Sequence, residues 1–138
     1  MRWIAAAAVT FCLVSAGAWA DEPMSTRVLL KTATTNIGQP IHYPRRGEAE
    51  ITTMIVTIPP GGSTALHKHP VPIVGYILEG ELEVRAAGGK VNRYKAGDSV
   101  VEAFGVAHRG TNIGNGPCRI LVTVIGVKGQ PYAVPVKP

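Results

Sequence analysis

From Ile51 onward the chain is cut by turn signals into short apolar or alternating segments, with no long stretch repeating every 3.6 residues. Ile51 to Ile58 is rich in β-branched residues and ends at Pro59-Pro60-Gly61-Gly62. Ile73 to Leu78 runs into Glu79-Gly80, and Glu81 to Arg85 then alternates, its charged side chains expected to face water. Gly88-Gly89 reads as a hairpin connection into Val91 to Tyr94. Lys95 to Asp98 turns the chain into Ser99 to Glu102, and Asn112 to Pro117 precedes the apolar segment Arg119 to Val127. About eight short strands so spaced predict an all-β protein, a closed or sandwiched antiparallel barrel. Segments 21–44 and 129–138 lack this pattern and are expected to be irregular arms.

His67 and His69 follow the Pro-Pro-Gly-Gly turn, and His108 comes later, behind Gly105. Residues i and i+2 of a strand share a face, so extended backbone lets His67 and His69 present two imidazoles to one point, with the third arriving from a neighbouring strand. Imidazole is the commonest protein ligand for transition metals, and three of them leave positions open for water or substrate. Without a metal, three imidazoles inside one apolar barrel would be poorly satisfied. His42, beside Tyr43-Pro44-Arg45, reads as a structural or surface histidine, and Lys68 as an outward neighbour of the ligands.

The spacing around the three histidines resembles that of the cupins. Gly61, His67, His69 and Gly80 match the first cupin motif, the stretch Gly75 to Val84 (GYILEGELEV) is cupin-like, and Gly97, Gly105, His108 and Asn112 match the second motif. The resemblance covers roughly Ile51 to Val127 and is to a small single-domain cupin. It implies a double-stranded β-helix or jelly-roll barrel, with residues 21–138 as one domain and its core at about 48–128. It also implies a homodimer, in which the apolar Val28-Leu29-Leu30 and Tyr132 to Val136 of the two arms find cover.

Two positions depart from the family pattern. Ile73 stands where cupins carry a metal-binding glutamate, and Val74 beside it offers no oxygen; Ala103 stands where the second motif has proline. The chain thus differs from cupins with three histidines and a carboxylate, such as oxalate oxidase and oxalate decarboxylase. Its remaining set is similar to that of the thiol dioxygenases and β-diketone-cleaving dioxygenases. If the chain stays extended beyond His69, Ile73, Gly75 and Ile77 also point inward, and Gly75 marks either a bulge or room for a ligand. The same parity turns Val100 and Glu102 inward. Glu102 then replaces the lost carboxylate as a fourth ligand, acts as a general base, or is a rim residue paired with Arg109. Tyr76 and Phe104 read as packing residues, and Asn112 fits a turn-capping role.

The first residues carry Arg2, an apolar run from Trp3 to Val14 and the small-x-small site Ala18-Trp19-Ala20, the pattern of a secretory signal peptide over residues 1–20. The mature chain is expected to start at Asp21, in the periplasm or outside the cell, without a membrane span. Cys118 is then the only cysteine, which rules out an intrachain disulfide; at the entry to an apolar strand it is expected to be buried. Fourteen basic residues less Arg2, against nine acidic, leave a net charge near +4. With the charges scattered and no basic stripe, nucleic acid is not an expected partner.

These readings combine into an exported cupin binding one divalent transition metal through His67, His69 and His108, with a small organic molecule as substrate or ligand. Iron is the first expectation; manganese, nickel, copper and zinc are all admissible for these ligands. Metal-dependent oxygenation is the expected reaction. A non-catalytic module binding a small molecule, a sugar or the metal is the alternative, and a structural metal in a partner-binding protein is a third.

Overall fold

A computed structural model describes residues 24–137; the expected signal peptide, its cleavage site and the mature start at Asp21 lie outside this range. Nine strands follow in order: β1 (Ala49–Ile58), β2 (His67–Lys68), β3 (Ile73–Glu79), β4 (Glu81–Ala86), β5 (Val91–Lys95), β6 (Ser99–Val101), β7 (His108–Asn112), β8 (Cys118–Val127) and β9 (Val134–Pro135). They form a four-stranded sheet, β1-β8-β3-β6, and a five-stranded sheet, β5-β4-β7-β2-β9, with antiparallel pairing throughout. The all-β antiparallel architecture expected from the turn spacing is the one observed.

Apolar side chains from both sheets meet between them. Ile58, Ile77, Leu82, Val84, Cys118 and Ile120 form one buried cluster, and Val71, Ile73 and Val124 a second. A fully buried aliphatic side chain such as Ile77 contributes roughly 1.5–3 kcal/mol, so these clusters hold the sheets together. Cys118 is buried and unpaired, as its place at the head of β8 suggests. Gly80 is required by its surroundings: φ is +82°, and a Cβ there would stand 2.5 Å from the Pro117 carbonyl oxygen.

Four local expectations are corrected. The chain is not continuously extended from His69 to Ile73; Pro70 to Pro72 carry it from the five-stranded to the four-stranded sheet. Ile73, Gly75 and Ile77 still point inward, because the sheets face each other and each turns its apolar side to the same interior. Gly75 marks neither a bulge nor a ligand gap. It pairs regularly with Val100 and Val122, and Val100 Cγ1 would lie 3.1 Å from an added Cβ, so the missing side chain makes room for Val100. The register shift in β3 falls instead between Ile77 and Glu79.

Glu83 does not reach open water, being only 5% exposed. Arg85 Nε and Arg93 Nε donate to its two carboxylate oxygens at 2.7 and 2.9 Å and cover it. Finally, the arms are not wholly irregular. Thr34 and Pro40 close a small antiparallel bridge, and Val134–Pro135 pair with β2 as the edge of the five-stranded sheet.

Candidate metal centre

His67 lies on β2 opposite His108 on β7, so one antiparallel register brings two of the imidazoles side by side, their rings tilted at 56°. His69, just past β2, bridges Phe104 in parallel, and its carbonyl accepts from Gly105 N at 2.8 Å. The centroids of the three rings are 4.6, 4.7 and 4.9 Å apart. Glu102 follows the last residue of β6 and comes from the opposite sheet, with its N–H bonded to the Ile73 carbonyl at 2.9 Å. One nitrogen of each imidazole and one Glu102 oxygen all lie within 4.8 Å of one another. The structure therefore gathers all four residues the sequence singled out, and leaves His42 exposed beside Phe104 with their centroids 6.4 Å apart.

The backbone fixes which nitrogen of each ring faces this point. Nδ1 of His67 meets the Ala65 carbonyl at 2.8 Å, Nδ1 of His108 the Val106 carbonyl at 2.9 Å, and Nδ1 of His69 the Tyr132 carbonyl at 2.7 Å. A carbonyl can only accept, so each Nδ1 carries a proton, and a neutral ring then turns its Nε2 lone pair inward. Glu102 Oε2 lies 2.9 Å from His69 Nε2 and 3.3 Å from His108 Nε2. Lone pairs cannot face each other at that separation unless a proton or a cation lies among them. Three neutral imidazoles and one carboxylate, with their outer hydrogen bonds already made, fit a divalent transition metal.

The titration of the metal-free cluster follows the same contacts. Burial disfavours the Glu102 carboxylate, but the hydrogen bonds from His108 and His69 and their positive charge outweigh it and hold the group at about 2. Burial also opposes the His108 cation, yet the bond to Glu102, together with the Val106 carbonyl, raises the ring above its usual value. His67 moves the other way: burial lowers it, and the neighbouring imidazoles add to that despite its bond to Ala65.

Glu102 is not the partner of Arg109 that one sequence reading allowed; its contacts are with the two histidines. Asn112 does cap a turn. Buried at 1% exposure, it donates from Nδ2 to the Ile58 and Gly116 carbonyls and accepts the Gly114 N–H. The Tyr132 carbonyl was missed from the sequence, because a backbone acceptor carries no residue signature. The site opens into a cavity of about 80 Å³. Among the described residues, Thr64 is the one hydroxyl in its wall; beyond the four clustered residues the rest is apolar, including Val56, Ile58, Leu82, Val84 and Ile120, and no Lys or Arg lines it.

A model of the cupin domain family matches residues 54–124, which hold all four clustered residues. The chain belongs to the cupin family. No curated protein matches it at significant similarity. Among solved structures, this cupin is similar to the oxalate decarboxylase of Lactobacillus farciminis in complex with formate, with a TM-score of 0.56 and 27% identity over 62% of this chain and 26% of that one. It is similar to the DMSP lyase DddQ of Ruegeria pomeroyi DSS-3, with a TM-score of 0.54 and 28% identity over 62% of this chain and 43% of that one. An oxalate oxidase matches with a TM-score of 0.54 and 26% identity over 62% of this chain and 46% of that one. The matched part thus spans between about a quarter and just under half of these proteins.

Proposed function

We propose that this cupin is an exported enzyme that holds one divalent metal through His67, His69, His108 and Glu102 and oxygenates a small organic molecule. The gathering of one nitrogen from each of three imidazoles and one Glu102 oxygen within 4.8 Å of one another carries the reading. Iron(II) is the first candidate, with manganese, nickel, copper and zinc admitted by the same ligands. Bound there, the metal would supply a Lewis-acid point for a chelating oxygen and, if redox-active, electron transfer. The protein's part is to orient the ligands through three backbone carbonyls, keep the cavity largely apolar, and hold a carboxylate that serves as fourth ligand or accepts a proton beside the substrate.

A cavity of about 80 Å³ is far below the several hundred usual for larger ligands, so the substrate is a molecule of few heavy atoms. With no cationic side chain in the wall among the described residues, an anionic substrate would be held by the metal and not by an ion pair. The carboxylate in the cluster favours a second reading, a lyase or decarboxylase reaction without net oxidation. Similarity to an oxalate decarboxylase and a DMSP lyase supports it. Oxygen uptake by protein loaded with iron(II), measured with dicarbonyl, thiol and small carboxylate compounds, separates the two. Product formed only with oxygen supports oxygenation, and equal turnover without oxygen supports the second reading. Metal binding with no turnover in either condition would leave a binding module.

Export is supported by the signal-peptide pattern of residues 1–20, and predicts a periplasmic or secreted product beginning at Asp21. A homodimer is supported by apolar side chains left outside the barrel. Ile51 and Ile55 are 61% and 52% exposed, and Val28, Leu29 and Leu30 are 73%, 48% and 42% exposed. No helix among the described residues is long and apolar enough to cross a membrane.

A further inference from the structure

The three histidines are not held in the same way. His67 and His108 each donate from Nδ1 to a carbonyl only two residues back, Ala65 and Val106, so any chain that forms the local turn keeps those rings in place. His69 depends on Tyr132, sixty-three positions further along the chain, at 2.7 Å, the shortest of the three bonds. Tyr132 lies where the chain leaves β8, turns at Lys128 to Gln130 with Gln130 N bonded to the Val127 carbonyl at 2.9 Å, and crosses to the other sheet. There Val134 and Pro135 pair with Lys68 and His67, and Val136 N donates to the Leu66 carbonyl at 2.9 Å.

We propose that residues 130–137 form a strap that completes the metal centre from the C-terminal end, with the Tyr132 carbonyl as the group that sets the tautomer and orientation of His69. The proposal rests on the metal reading above. The physical reason is the contrast in support. Without the Tyr132 acceptor the His69 ring is free to take its other tautomer, which places the proton on Nε2 and removes the lone pair the metal needs. Among the described residues the strap also supplies the only ladder on the outer side of β2, a strand of two residues that bears His67 and leads directly into His69. Its loss therefore loosens two ligands of four. Outer hydrogen-bond partners of metal-bound histidines are commonly worth about 10- to 100-fold in metal affinity, and the strap is expected to fall in that range.

The test compares three mature proteins: the intact chain, a chain ending at Gly129, and Val136→Pro, which deletes the N–H that ties the strap to Leu66 while keeping the full length. Cobalt(II) affinity is measured by calorimetry, and the imidazole nitrogen shifts of His69 by NMR in the metal-free state. The strap predicts a loss of about 10- to 100-fold in affinity on truncation and a smaller loss in Val136→Pro. It also predicts that the proton seen on His69 Nδ1 in the intact chain is no longer held there, the ring donating only from Nε2 to Glu102, with the His108 signal unchanged. Affinity within twofold of the intact chain in both variants, with His69 still in its Nδ1–H form, overturns the strap and leaves the metal reading intact. If the intact chain binds no metal, the metal reading fails, and the NMR tautomer alone then decides whether Tyr132 fixes His69. If the truncated chain does not fold, Val136→Pro carries both measurements.

Discussion

Glu102 Oε2 and His69 Nε2 approach within 2.9 Å, across the gap between the two sheets. The contact joins a residue at the end of β6 to one just past β2, and it supplies the oxygen that Ile73 does not. The carboxylate of the cluster stands in the loop before His108 and not on the strand that follows the His-x-His pair, where the chain carries Ile73. That geometry makes a ligand role the first expectation for Glu102.

Glu102→Gln removes the charge and keeps the shape. If the carboxylate binds the metal, affinity falls at least about tenfold. If it serves only as a proton acceptor, metal content is unchanged and turnover drops about 100-fold or more. Calorimetry and single-turnover rates on the same preparation distinguish these, and a variant unchanged in both returns Glu102 to the rim.

Ile73 is 2% exposed and lines the cavity, so Ile73→Glu places a second carboxylate beside Glu102. In the wild-type background the added ligand is redundant, and like-charge repulsion destabilises the metal-free form. In the Glu102→Gln background the same change restores metal affinity. A lower melting temperature for the metal-free single variant and recovered affinity in the double variant are the expected results.

Acid should release the metal. Every ligand must be deprotonated, and His108 is raised above 6.5, so affinity falls as pH drops through and below that region. The metal-free protein behaves differently on the alkaline side. The stability His108 gains from Glu102 is fully present below about 6.5 and is lost as pH rises through its raised folded value. The contribution of Glu102 is present above 4.5 and is lost as pH falls through about 2. Melting curves between pH 4 and 9 should therefore show metal stabilisation growing with pH, while the metal-free protein gains stability up to about 6.5 as the lowered His67 is relieved of its charge and loses the His108 contribution above that; a metal shift that shrinks as pH rises would contradict this.

Gly80→Ala should destabilise the fold without touching the centre. A Cβ would meet the Pro117 carbonyl at 2.5 Å with φ at +82°, a conformation costing about 1–3 kcal/mol for a residue with a side chain. Denaturant unfolding should show the loss, and metal stoichiometry in the folded fraction should stay the same.

The strands and the site were legible for different reasons. Alternation and turn residues marked β1, β3, β4, β5 and β8 to within a residue or two, because burial on one face leaves a period of two in the side chains. His67, His69, His108 and Glu102 were legible as residue types at fixed spacing and parity. What escaped was carried by backbone or by distance. Val134–Pro135 is too short to alternate, the Tyr132 carbonyl is chemically like every other, and the burial of Glu83 depends on Arg93 arriving from the next strand. Gly75 was misread because the group filling its space, Val100, comes from a strand paired with it only in the folded protein.

The most direct test of the account is the metal content of the mature protein, purified without added metal and then dialysed against iron(II) or cobalt(II). One ion per chain is expected in the wild type and in His42→Ala, with substoichiometric metal in His67→Ala, His69→Ala and His108→Ala. Full occupancy in any of those three variants, or none in the wild type, would contradict a centre built on these histidines.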